Sequence, residues 1–212
     1  MRVFTFLLVV LGVSLSACGA SDRPSKVNAQ SPATETTQAK SWQLRGSESR
    51  LEFISIKKGT IIETNSFTDL NGTVLPDGGA TIVVKLDSVE TNIGIRNKRM
   101  KEHLFETDKF PNVVIKAQLD LTQFSSLSVG ERKDIEIPIN ISLHGHSDVM
   151  DIAMVATRLG DNKIVVDSRT PVIIDADTFG FGAGIAKLQE LAKLNVIAPE
   201  VPVMFSLVFT QD

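Results

Sequence analysis

The sequence predicts an all-β domain built as an antiparallel barrel of about eight strands, with one or two short helices. From Trp42 onward, apolar and polar residues alternate with a period of two over several segments. Because neighbouring side chains of a strand point to opposite faces, this alternation is typical of half-buried antiparallel strands. Turn-forming stretches, such as Pro76–Gly79 and Gly160–Asn162, separate the segments at the spacing expected for a sandwich or a barrel.

Four segments carry the clearest alternation. Their apolar members are Ile82, Val84 and Leu86 in the first, Val113, Ile115, Ala117 and Leu119 in the second, Ile135 through Leu143 in the third and Val201 through Phe209 in the last. Pro138 interrupts the third segment, and proline lacks the N–H group that a sheet ladder uses. We therefore expect that strand to be at an edge, bulged or turned to solvent at Pro138.

Two stretches between strands have a different pattern. Residues 97–106 are rich in charge and fit a short helix or an ordered loop. Residues 185–194 place Ile185, Leu188 and Leu191 at helical spacing with charged residues between them, which predicts a short amphipathic helix. Such a helix is either a connector packed on the barrel or a lid over an opening.

The N-terminus has the pattern of an export signal. Arg2 precedes an apolar run from Val3 to Val13, and small residues follow, so residues 1–17 are predicted to be a signal peptide. Leu15-Ser16-Ala17-Cys18 resembles the lipobox of bacterial lipoproteins, which implies that Cys18 is lipidated and anchors the chain to a membrane. Ordinary secretion with an incidental cysteine is the alternative. Gly19 favours the outer over the inner membrane, so we expect a periplasm-facing, lipid-anchored protein of the bacterial cell envelope.

Composition divides the rest of the chain into two parts. Residues 18–40 are expected to be a lipidated cysteine and a flexible tether with scarcely any large apolar side chain, and residues 41–212 are expected to form the barrel domain. Cys18 is the single cysteine, so the domain has no disulfide, thiolate metal site or cysteine nucleophile. A formal net charge of −3 provides no basic footprint for nucleic acid.

Several motifs within the domain resemble the YceI-like family. They are, in order, Ser88–Asn92, Arg96–Met100, Leu104-Phe105, Lys109–Pro111, Leu143-His144-Gly145 and Asp177–Gly180. The resemblance implies a lipocalin-like antiparallel barrel that binds a polyisoprenoid, quinone-like or similar long-chain lipid without catalysing a reaction. It also implies a possible membrane cytochrome partner and no cofactor. The alternative function is a structural or interaction module with a filled barrel that contacts an envelope partner.

The pattern and the resemblance together predict the ligand-binding residues. These are Ile82, Val84, Leu86, Arg96, Arg99, Leu104, Phe105, Phe110, Val113, Ile115 and Phe179. The sequence leaves open whether the apolar members line a pocket or fill the interior of the barrel. Arg96 has two interpretations: its guanidinium binds an anionic headgroup, or it pairs with a nearby acid such as Glu90, Glu102 or Asp108 and holds the loop.

Metal and catalytic sites are not predicted. His144 and His146, placed two residues apart, would share a strand face, with His103 as a conceivable third ligand, but no further motif marks a metal site. There is no Gly-x-Ser-x-Gly nucleophile motif, and the glycine-rich run from Phe179 to Gly184 lacks the spacing of a phosphate-binding turn. We therefore expect no enzyme activity.

Overall fold

The computed structural model describes residues 40–211. The predicted signal peptide, Cys18 and the tether up to residue 39 lie outside the described residues. The β-segments are β1 Trp42–Leu44, β2 Arg50–Lys57, β3 Ile61–Phe67, β4 Leu70–Val74, β5 Gly79–Lys85, β6 Val89–Glu90, β7 Asn112–Gln118, β8 Arg132–Leu143, β9 His146–Gly160, β10 Lys163–Ser168, β11 Val172–Asp175 and β12 Glu200–Gln211. The α-helices are α1 Gly94–Arg99, α2 Thr122–Ser125 and α3 Gly182–Ala192, and a π-helical turn, Met100–Leu104, continues α1.

These segments form a closed barrel of eight long antiparallel strands. Three strands are doubled segments with a short break, β1 with β2, β3 with β4, and β5 with β6, and a fourth consists of β10 and β11. Each strand pairs with its neighbour in the chain, and the ring closes where β12 pairs with both β1 and β2. The predicted fold class and strand number are confirmed.

The break between β1 and β2 lies where the backbone of this strand comes close to the backbone of β4. Gly46 lies between β1 and β2, and a Cβ atom there would be 2.5 Å from the carbonyl oxygen of Leu70. Only glycine allows the doubled strand to bend over its neighbour at this distance. Both halves can therefore pair with β12 and keep their apolar side chains inside the barrel.

Pro138 lies where one side of its strand has no partner. It is exposed and pairs with Asp151 of β9, whereas the ladder between β7 and β8 ends at the pair Ala117 and Ile139. Pro138 is thus turned to solvent beyond the end of one ladder, which is one of the arrangements that the sequence predicts.

The barrel has two different ends because its strands run up and down in chain order. The helical end, as we name it, carries α1, the π-helical turn, α3 and the β2–β3 and β8–β9 turns. The α2 end carries α2, the β4–β5 and β9–β10 turns and the first described residue, Lys40. Both predicted interruptions are helical: the first spans 94–104 and the second 182–192. No helix among residues 40–211 is both long and apolar enough to span a membrane.

Candidate binding cavity

The interior of the barrel is hollow. A cavity of about 560 Å³ extends from Trp42 and Phe124 at the α2 end to Ile93 and Ile197 at the helical end. Small-molecule sites in proteins have volumes of roughly 300–1,000 Å³, so the cavity is large enough to hold one ligand. The structure therefore favours a pocket over the alternative left open by the sequence, a barrel filled by its own side chains.

The wall of the cavity is made by the inward-facing rows of the strands. Ile82, Ile115 and Ile141 lie side by side on β5, β7 and β8 and give the wall a ladder of branched side chains. Ile115 faces the interior and is nevertheless only half-buried. Inward side chains that retain accessible surface leave apolar area inside the barrel that an apolar chain can cover.

Most of the predicted ligand-binding residues are part of this wall. Those that line the cavity are Ile82, Val84, Leu86, Arg96, Arg99, Leu104, Phe105, Val113 and Ile115. The structure therefore brings together strand residues and loop residues from distant parts of the sequence. Their contact with a ligand stays a prediction.

One polar cluster interrupts the apolar wall near the helical end. Lys57 of β2 lies with its Nζ atom 2.5 Å from Oε2 of Glu63, and Arg96 of α1 also pairs with this carboxylate. The Arg96 side chain donates to the carbonyl oxygen of Thr91 at 2.7 Å, and Asn65 donates to the hydroxyl of Ser55 at 3.2 Å. Two cations share one carboxylate, so the cluster carries a net positive charge.

The protonation of Glu63 follows from these contacts. The hydrogen bond from Lys57, and after it the one from Arg96, hold the pKa of Glu63 below its ordinary value, although burial opposes the shift. Glu63 is therefore ionised at neutral pH. Its charge keeps both cations at the mouth of the cavity.

The partner of Arg96 differs from the sequence-based expectation. The second interpretation named Glu90, Glu102 or Asp108, whereas Arg96 pairs with Glu63, which is 33 residues away in the chain. The acidic partner of Arg96 is therefore a residue of strand β3 and not a residue of the loop around α1. Nε of Arg96 is buried without a hydrogen-bond partner among the described residues, and such a group costs free energy unless it is satisfied.

Comparison with known proteins agrees with this architecture. The family model described as YceI-like domain matches residues 42–209. The chain belongs to the YceI-like family. It is 36% identical to a solved structure described as a polyisoprenoid binding domain from Saccharophagus degradans implicated in plant cell wall breakdown, with a TM-score of 0.79 over 81% of this chain and 98% of the other.

A more distant structure shares the fold. BcnA from Burkholderia cenocepacia is 12% identical, with a TM-score of 0.59 over 78% of this chain and 98% of its own. No curated protein sequence matches the chain.

In this YceI-like domain, α3 forms part of the wall of the cavity at the helical end. Ile185 and Leu188 are among the lining residues, and the Arg99 side chain donates to the carbonyl oxygen of Leu191 at 3.2 Å. A Cβ atom at Gly184 would be 2.7 Å from the carbonyl oxygen of His103, so this glycine allows α3 to pack directly on the π-helical turn. Arg99 therefore joins the two helical segments above the cavity.

Two predicted ligand-binding residues are not among the lining residues. The ring centroid of Phe110 lies 4.4 Å from that of His144, and Phe179 is fully buried, with its carbonyl oxygen 3.3 Å from Nδ1 of His144. Both phenylalanines pack around the β8–β9 turn. The imidazole of His144 packs against the rings of Phe110 and Phe181, whereas Phe179 contributes its carbonyl oxygen to this turn and its ring to the buried core.

Sequence reasoning missed the polar residues of β2 and β3. Ser55, Lys57 and Asn65 line the cavity, and Glu63 holds two of its cations. A signal was present: Ser55 and Lys57 continue the inward-facing row of Leu51 and Phe53 at a spacing of two. Because the inward side chains become polar partway along the strand, the apolar alternation that identified other strands is lost there.

The histidine pair does not share a strand face. His144 is in the turn between β8 and β9 with a φ of 53°, and its Nε2 atom lies 3.1 Å from Oε2 of Glu106. Only His146 belongs to a strand. Within residues 40–211, no group of three or more His, Cys, Asp or Glu side chains is placed to hold a metal ion.

Proposed function

We propose that this YceI-like domain binds one long-chain apolar lipid, of the polyisoprenoid, quinone-like or similar type, inside its barrel. The observation that carries the proposal is the apolar cavity of about 560 Å³ that runs through the barrel. The relative from Saccharophagus degradans, described as a polyisoprenoid binding domain, supports the class of ligand. The alternative, an interaction module with a filled barrel, has no support in a hollow interior.

The energetics favour a long tail. Burial of each methylene contributes about 0.8 kcal/mol, from which the cost of ordering the chain is subtracted. The hydroxyl, amide and charged side chains of the lining are Ser55, Lys57, Asn65, Arg96 and Arg99, and they lie toward the helical end. The lipid is therefore oriented with its polar head at this end and its tail toward Trp42 and Phe124.

The same set of polar groups favours binding without catalysis. The hydroxyl of Ser55 accepts a hydrogen bond from Asn65, and in the described part of the chain the lining includes no histidine, aspartate or glutamate that could act as its base. We therefore propose sequestration or transport of the lipid. A quinone-like ligand would agree with the membrane cytochrome partner expected from the family resemblance.

Location is proposed from the N-terminal sequence. Residues 1–17 would direct export, and an acylated Cys18 would anchor the domain in the cell envelope, more favourably at the outer membrane. In fractionated cells, the wild-type chain should be in the membrane fraction and the variant Cys18→Ser should be soluble. A Cys18→Ser protein that stays in the membrane would contradict the anchor.

The binding proposal is tested by what the purified full chain retains. Organic extraction and mass spectrometry should find one recurrent long-chain lipid at about one per barrel. Ala117→Trp fills the lumen from β7 and should remove it, whereas Lys116→Trp, on the exposed face of the same strand, should retain it. Circular dichroism establishes that both variants fold, and Ala80→Phe on the neighbouring strand serves if Ala117→Trp does not. A wild-type barrel that is empty and fails to take up an added polyisoprenoid would contradict the proposal.

A further inference from the structure

Exposed apolar side chains are concentrated around the mouth of the cavity. Five of the ten large apolar side chains that are exposed in residues 40–211 lie at the helical end: Ile61, Ile62, Ile93, Ile95 and Val196. We call these five residues the rim. Ile62 is 66% exposed and Ile95 is 56% exposed, so each presents most of its side chain to solvent. This concentration of apolar surface at one place marks an interaction site.

Three chain segments hold the rim together. The backbone N–H of Lys58 in the β2–β3 turn donates to the carbonyl oxygen of Val196 at 3.1 Å, and α1 is joined to β3 by the pair of Arg96 and Glu63. Ile93 and Ile95 also line the cavity. The rim is therefore continuous with the apolar wall, and whatever covers it faces the entrance to the lumen.

The charge around the rim is opposite to that of the whole chain. Residues 57–63, 91–104 and 185–197 contain eight Lys or Arg and three acidic residues, although the chain has a formal net charge of −3. Lys58, Lys98 and Lys193 are exposed among the rim residues. Apolar side chains interleaved with lysines are the composition that binds the surface of an anionic membrane.

We propose that the rim docks the helical end of the barrel onto a bilayer that contains anionic phospholipid. The isoleucines enter the headgroup and acyl boundary, and the lysines contact lipid phosphates. The purpose of the docking rests on the proposed function, because a docked rim lets a lipid tail pass between the bilayer and the cavity without crossing water. A bilayer fits better than a protein surface because two rim residues line the cavity, so the covering layer continues directly into a lumen suited to an acyl chain.

Flotation with vesicles tests the docking, and every protein compared, including the one called wild type, carries Cys18→Ser so that the proposed acyl anchor is absent. Phosphatidylcholine vesicles that contain phosphatidylglycerol should bind the wild type, pure phosphatidylcholine vesicles should bind it less, and salt should weaken the difference. The double variant Ile62→Asp with Val196→Asp, at rim residues that are 66% and 44% exposed and do not line the cavity, should reduce vesicle binding by at least about tenfold, because two apolar insertions are lost. Val129→Asp with Leu75→Asp is the matched control, since these side chains are 63% and 47% exposed at the α2 end.

A double charge-reversal variant measures the electrostatic contribution to vesicle binding. Lys58→Glu with Lys98→Glu should abolish the preference for phosphatidylglycerol, whereas Lys133→Glu, exposed at the start of β8, should retain it. The docking is overturned if the wild type binds neither vesicle, if the rim and control variants bind alike, or if gel filtration shows that the rim variants break a dimer without changing vesicle binding.

Retained lipid distinguishes this inference from the proposed function. The rim variants should retain lipid in the barrel and lose only vesicle binding, because both substituted side chains are exposed and neither lines the cavity. A wild type that carries lipid and ignores vesicles overturns the docking alone. A wild type that binds vesicles with an empty barrel upholds the docking and contradicts the proposed function.

Discussion

The two ends of the cavity differ in chemistry although they belong to one lumen. At the α2 end the lining comes from apolar and aromatic side chains, including Trp42, Leu119 and Phe124. At the helical end, Lys57, Asn65 and Arg96 enter the same wall and are held by an ionised Glu63. Burial of apolar surface is non-directional, whereas buried polar groups need partners of defined geometry. We therefore expect the α2 end to accept many different lipid tails and the helical end to distinguish between lipid headgroups.

We expect the largest loss of stability from a substitution at the α2 end. Phe209 is 7% exposed and pairs with Leu44 at the seam where the ring closes, so Phe209→Ala should lower the free energy of unfolding by about 3–5 kcal/mol. Urea denaturation measures it, with Val129→Ala as an exposed control that should change stability by less than about 0.5 kcal/mol. If Phe209→Ala lowers the free energy of unfolding by less than Arg96→Ala does, the apolar α2 end does not contribute more to stability than the polar cluster, and this prediction is wrong.

Arg96→Ala should have an intermediate effect on stability and a larger one on selectivity. Loss of its charged hydrogen bonds to Glu63 and Thr91 should cost about 1.5–3 kcal/mol. Retention of a polyprenyl phosphate should fall more than retention of squalene, a polyisoprene without a polar head, because the tail contacts are unchanged. Arg96→Lys keeps the charge without the guanidinium fork and should recover part of the difference. Equal loss of both lipids would leave Arg96 with a structural role only.

We expect the smallest effect from substitution of Glu63, which should change how stability depends on pH. The depressed pKa of Glu63 means that its contribution to stability is complete above the ordinary glutamate value, about 4.5, and is lost as the pH falls through the lower pKa of the folded state. Glu63→Gln should therefore flatten the fall in melting temperature below about pH 4.5. Glu200→Gln, an exposed residue at the start of β12, provides the comparison. Identical acid profiles for Glu63→Gln and wild type would show that the ion pairs do not stabilise the fold.

Much of the wall could be predicted, but less of the polar cluster. Ile82, Val113 and Ile115 were identified because a period of two is a local property of the chain, and it persists wherever one face of a strand is buried. Arg96 was identified from a motif, but its partner was not, because Glu63 reaches it only through the pairing of sheet strands. His144 was assigned to a strand face because a histidine, glycine, histidine sequence does not reveal that its first two residues form a turn.

The amino-acid sequence alone determined the class of the fold, the approximate positions of strands and helices, and the family, since each depends on short-range patterns and on motifs in order. Tertiary structure alone decided that the barrel is hollow, which loop residues meet which strands, and that Phe110 and Phe179 are not among the residues that line the cavity. The physical reason is closure: the space left inside depends on how eight strands pair around a ring, and no local segment of the chain contains that information.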